Sequence, residues 1–160
     1  DQSARFANMV DAPGAQPLHG DLNFGNLMIA ADNTKAVILD FENVWRNYGP
    51  PIFDLAFVAE RFCFPSGARP DVSARLLAVL LDSYVSAGAS IDFGAAAFAT
   101  ALKMRNRQCL AALSGAIDEG ADVDIDEITK FSALFRDIPR KASVLASSTQ
   151  YSATAEVRSG

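Results

Sequence analysis

Residues 19–26 read His19-Gly20-Asp21-Leu22-Asn23-Phe24-Gly25-Asn26, and ILDFEN follows at residues 38–43. Asp21 and Asn26 stand five positions apart on one irregular loop. Between the two segments, LMIA and KAVILDF are short apolar runs on either side of ADNT, whose Asp and Asn bond locally and tolerate a left-handed backbone. The β-branched and aliphatic residues Ile29, Val37 and Ile38 favour a small β-hairpin over residues 27–30 and 36–40. Such a hairpin carries Asp40 back towards Asn26. Two hard oxygen ligands and a free carboxylate then converge. That set suits Mg²⁺, which takes one or two protein carboxylate or amide oxygens and keeps places for water and phosphate. Phosphoryl transfer uses the same parts: a carboxylate that orients the attacking hydroxyl, and an Asn and an Asp that hold the metal.

Outward from this stretch the strand signals stop. FDLAFVAERF has helical spacing, and Pro65, Gly67 and Pro70 interrupt it. DVSARLLAVLLDSYVSAG predicts an apolar helix with Asp71 as N-cap and Gly88 at its end. A second long helix is expected to open near Ser90 or Asp92, and a third at Asp124, where Glu127 completes the pattern of a capping box. Pro139 then breaks or kinks the chain. Upstream, residues 2–10 read as the end of a helix closed by DAPGAQP.

The chain has 160 residues, 50% of them hydrophobic and 21% charged, with a formal charge of −5. This composition excludes disorder and supports one domain with one sizeable core. An acidic balance argues against nucleic acid or an anionic membrane as the main partner. Cys63 and Cys109 show no paired spacing and read as reduced core thiols of a cytoplasmic protein. No apolar run approaches the ~20 residues that span a bilayer, and the first residues do not read as a signal peptide. The acidic run 118–127 fails the calcium-loop pattern, because Glu127 falls where that loop needs Gly; it reads as a solvated loop and helix cap.

His19-Gly20-Asp21-Leu22-x-x-x-Asn26 resembles the catalytic loop of protein kinases, with Gly20 in place of their Arg. Asp40-Phe41-Glu42 stands where those kinases have Asp-Phe-Gly. These variants, with GPPIFDLA at residues 49–56, resemble the aminoglycoside phosphotransferase and choline kinase superfamily over residues 18–60. The resemblance implies that Asp21 is the catalytic base and that Asn26 and Asp40 are magnesium ligands, with ATP as the phosphate donor. His19 would support the loop from beneath, and Asp54 would brace it from the following helix. Glu42, Asn23 and Trp45 are candidates for substrate contacts or for a surrounding supporting layer, though Trp45 is equally suited to packing.

The implied fold is mainly α within the α+β class. It is the C-terminal lobe of a protein-kinase-like fold, a small β-hairpin carrying the catalytic loop plus a helical bundle. That lobe would occupy residues 1–148, with 149–160 a flexible tail. The N-terminal nucleotide lobe is expected to lie outside this sequence, since 18 residues precede His19 and none reads as a Gly-rich hairpin. Only 13 residues separate Asp40 from Asp54, too few for the peptide-binding segment of a protein kinase. The acceptor is therefore expected to be a hydroxyl of a small molecule, with a cationic one among the options. The rival readings are a catalytically inactive fragment or pseudokinase-like interaction module, and a metal-dependent hydrolase.

Overall fold

The computed structural model describes residues 14–147 except 33, 43, 45, 46 and 66. The expected helix at 2–10, the tail at 149–160 and Trp45 lie outside the described residues. What is described is mainly helical, with two small antiparallel two-stranded sheets, as the mainly-α expectation requires. Two compact units meet in sequence between Phe62 and Cys63.

Among its described residues the first unit holds four short strands, a 3₁₀ turn and one α-helix. Strand β1 (Gln16–Pro17) pairs with β4 (Tyr48–Gly49), matching Gln16 to Gly49 and Pro17 to Tyr48. Strand β2 (Leu27–Ile29) pairs with β3 (Ala36–Ile38), matching Leu27 to Ile38 and Ile29 to Ala36. Main-chain bonds from Ala30 N–H to Lys35 O and from Leu39 N–H to Asn26 O, each 2.9 Å, close the hairpin at both ends. In its turn, Asp32 Oδ1 accepts from the Thr34 hydroxyl at 2.7 Å and amide at 3.0 Å, the local bonding expected of ADNT. Those bonds, the hydroxyl's first, hold the Asp32 carboxyl below its ordinary range. Helix α1 (Ile52–Val58) buries Leu55, Ala56 and Phe57, then widens into a π-helical turn, Ala59–Cys63.

The second unit is a set of helices: α2 (Pro70–Ser86), α3 (Ala95–Asp118), α4 (Ile125–Arg136) and α5 (Ile138–Ser147). Helix α5 packs on α2, α3 and α4, and α3 also packs on α4. Leu77, Leu81, Phe98, Leu102 and Ile138 are essentially inaccessible and form the core. Truncating Leu102 to Ala should cost roughly 2–5 kcal/mol, because it removes three carbons from a site with no solvent access. Urea unfolding monitored at a core aromatic would read that loss. Burial pushes the Cys63 thiol up to about 11, so it stays protonated at neutral pH. Cys109 is half-buried, and neither cysteine forms a disulfide. Among the described residues no helix is long and apolar enough to cross a membrane.

The helix ends depart from expectation in three places. Helix α2 is capped by Arg69, not Asp71, because Pro70 takes the first helical position, where its fixed φ and missing N–H cost nothing. Asp71 falls in the first turn and pairs with Arg69 at 3.0 Å. Helix α3 opens at Ala95 behind Gly94, later than Ser90 or Asp92. Asp124 does cap α4, accepting from Asp126 N–H at 2.9 Å, but Glu127 binds Lys130 at 2.9 Å instead of completing a capping box. The end at Gly88 is as expected: it adopts φ +95°, Gly88 N–H bonds Val85 O, and Ala89 N–H bonds Tyr84 O.

Candidate active site

The loop that carries Asp21 is fastened on several sides within the first unit. From α1, Asp54 reaches the main chain with both carboxylate oxygens. Its Oδ2 accepts from His19 N–H at 2.7 Å and its Oδ1 from Gly20 N–H at 2.8 Å. Two consecutive amides share one carboxylate. Charge-assisted bonds of this kind are about twice as strong as neutral ones.

His19 is buried, and both its ring nitrogens are occupied. Nδ1 accepts from Asp21 N–H at 3.2 Å, so the proton sits on Nε2, which faces Leu39 O at 2.7 Å. The pattern of partners assigns this tautomer. Phe41 lies against the imidazole with ring centroids 4.9 Å apart. His19 thus ties the loop to the return strand of the hairpin, one residue before Asp40.

Gly20 adopts φ +81°, a left-handed conformation that side chains rarely take. A side chain there would also have to displace the Asn47 amide head. A Cβ there would stand 2.6 Å from Asn47 Cγ and 3.0 Å from Oδ1, and closest of all to Nδ2. An Arg at this position, as in protein kinases, is opposed on both counts.

Beyond Gly20 the loop turns back on itself. Asn23 caps the 3₁₀ turn Phe24–Asn26 by accepting from Gly25 N–H at 2.7 Å. Asn26 Nδ2 donates to Asp21 O at 2.8 Å and to the Asp21 carboxylate at 3.1 Å. With Nδ2 directed at Asp21, Oδ1 is the atom Asn26 has left to offer a cation. Asp21 itself is exposed to solvent.

Asp40 follows β3 and is the one described non-glycine residue with positive φ, at +63°. Strain of that kind costs on the order of 1–3 kcal/mol and clusters at functional sites. Asp is among the few residues that tolerate it. The bond from Leu39 N–H to Asn26 O places Asp40 one residue from Asn26's partner in the hairpin, with its side chain exposed. Glu42 is also exposed. Among the described residues no three His, Cys, Asp or Glu side chains gather as a metal cluster. One carboxylate, as on Asp40, and one amide oxygen, as on Asn26, are of the kind and number Mg²⁺ accepts when phosphate and water complete its shell.

Two features had no signal in the sequence. One is the contact of Asn47 with Gly20. The other is the pairing of Phe24 with Phe62, centroids 4.1 Å apart, which leaves Phe24 68% exposed beside the loop. A separate cleft of roughly 600 Å³ in the second unit is lined by Phe64, Leu134 and Arg140 among others, and by none of the candidate site residues.

The family model described as "Phosphotransferase enzyme family" matches residues 2–89, more than half of the chain. The chain belongs to that phosphotransferase family. No curated protein and no solved structure shows a significant match to it.

Proposed function

We propose that this chain supplies the acceptor-activating and metal-holding half of an ATP- and Mg²⁺-dependent small-molecule phosphotransferase. The bonds from Asn26 Nδ2 to the carboxylate and carbonyl of Asp21 carry the reading, since they hold a candidate base and a candidate metal ligand on one short loop. Asp21 orients the acceptor hydroxyl and takes its proton as the γ-phosphate is attacked. Asn26 Oδ1 and the Asp40 carboxylate hold the metal. When bound, Mg²⁺ neutralises charge on the phosphates. His19 and Asp54 act through the backbone, keeping the loop in shape. Asn23, bonded within the turn, supports the loop's end, and Glu42 is a candidate for contact with the acceptor.

The hairpin supports a partner lobe. Met28, Ile29, Val37 and Ile38 are 43–66% exposed and occupy both faces of a two-stranded sheet. Such a sheet is marginal in water unless something packs on it. A nucleotide-gripping lobe covering it would bury these side chains and deliver ATP beside Asp40. The acidic chain, in a cytoplasmic setting, would accept a small hydroxyl compound, cationic ones included, more readily than an anionic one.

The test is ADP release by the protein together with its nucleotide lobe, across a panel of hydroxyl-bearing metabolites and antibiotics. Release that needs both Mg²⁺ and one alcohol supports the reading, and release independent of any acceptor opposes it. Asp40→Ala should raise the Mg²⁺ requirement by about tenfold or more, as expected when one of few protein ligands is lost. An unchanged metal dependence would remove Asp40 from the set.

A further inference from the structure

We infer that Asn47 is a positioning residue for Asp21, acting through Gly20. For its catalytic consequence the inference rests on the phosphotransferase reading; for its geometry it does not. Asn47 is held at the end of the β1–β4 ladder, where its main-chain O accepts from Leu18 N–H at 2.7 Å. Its own N–H donates to Val44 O at 3.1 Å, and Val44 N–H to Phe41 O at 3.2 Å, so a chain of turns joins it to the Asp40-Phe41 segment. From this anchored position the planar amide head fills the space over Gly20 Cα that a Cβ would need.

Gly20 needs such a neighbour. Glycine reaches a left-handed φ without strain, but it leaves the following peptide freer than any other residue would. Asp54 restrains Gly20 only through its N–H, on the side towards His19. The Cα and the peptide leading to Asp21 are on the other side. That peptide's N–H reaches His19 Nδ1 at a long 3.2 Å, and Asn47 covers the Cα. The loop therefore combines a residue able to take the required turn with an external side chain that blocks its alternatives. Removing Asn47 keeps Gly20's access to φ +81° and removes the side chain packed over its Cα.

The predicted signature is local. In Asn47→Ala, exchange of the His19, Gly20 and Asp21 amides should quicken by at least about tenfold, while the amides of α2 to α5 keep their rates. Asp21 would then sample unproductive orientations, lowering kcat by about 10- to 100-fold with the KM for Mg·ATP little changed. Gly20→Ala should lower the Tm and quicken the same amides, because both φ and space oppose it. Adding Asn47→Ala to Gly20→Ala should restore part of that Tm loss, since the collision is relieved. Asn47→Asp, which keeps the head's shape, should retain slow exchange at the three amides.

Uniformly faster exchange in Asn47→Ala would mean general destabilisation and would overturn the inference. So would unchanged exchange, or a double variant at least as damaged as the two singles summed. If Asn47→Ala does not fold, Asn47→Ser replaces it and is judged by the same local signature. Amide exchange needs no turnover. A protein without phosphotransferase activity would thus refute the proposed function while leaving the exchange result to decide on Asn47.

Discussion

Replacing Asp21 with alanine is expected to lower kcat for phosphoryl transfer by about 10²–10⁴-fold, the range that a positioned general base supplies. The KM for Mg·ATP should stay within about threefold of its starting value, because the loss falls on the transition state and not on ground-state binding. Asp21 is suited to this role by what does and does not touch it. Its carbonyl and one carboxylate oxygen receive Asn26, its N–H donates to His19, and the side chain is otherwise open to solvent. An Asp21→Asn variant sharpens the test, since it keeps the size of the side chain and loses the capacity to take a proton. Both variants should be inactive to a similar degree. Steady-state kinetics would check this, and wild-type turnover in either would remove Asp21 from the mechanism.

The second large effect concerns Asp54. Alanine there withdraws two carboxylate acceptors, at 2.7 and 2.8 Å, and leaves the His19 and Gly20 amides to find others. Each charge-assisted bond contributes about 1.5–3 kcal/mol. Asp54 is half-buried, so water can replace part of that, and the net loss should be roughly 3 kcal/mol. Urea unfolding followed by a signal from the first unit would measure it. Asn at the same position should recover part of the stability, because its single carbonyl oxygen can still accept from one of the two amides. A loss below about 0.5 kcal/mol in Asp54→Ala would show that solvent serves the two amides equally well.

Much of this arrangement was legible in the residues, and what was not has identifiable causes. The hairpin, the helical remainder and the convergence of Asp21 with Asn26 follow from short-range patterns: apolar runs around a turn, helical spacing, five positions on one loop. The errors arose where two local rules competed. At the start of α2, Asp71 is a good capping residue, but Pro70 beside it prefers the first helical position, and that preference prevailed. Glu127 could have closed a capping box, yet Lys130 three residues on took its carboxylate. Helix α3 begins late, at Ala95; its buried side chains are Phe98, Ala101, Leu102 and Asn106, all beyond the expected opening at Ser90 or Asp92.

Asn47 is a different case. Gly20 could be read as a departure from the protein-kinase loop, but not as a partner of a residue 27 positions away. No periodicity or capping rule links them; only the pairing of β1 with β4 does. The same holds for the left-handed backbone of Asp40, which a strand-end reading gives no reason to expect. Local chemistry was visible in the sequence, and the long-range contacts that orient it were not.

The clamp formed by Asp54 also sets an order of events during synthesis. His19 and Gly20 acquire their main-chain partner from a residue 35 and 34 positions further along. Chain growth is vectorial, at about 5–20 residues per second, so the loop must leave the ribosome seconds before the carboxylate that secures it. Until α1 forms, Asp21 belongs to an unfastened segment whose closure entropy has yet to be met. A nascent chain halted before residue 54 would carry every residue of the HGDLNFGN stretch and still lack its shape. Competence of the loop is therefore gained late, when the helix that follows it has been made.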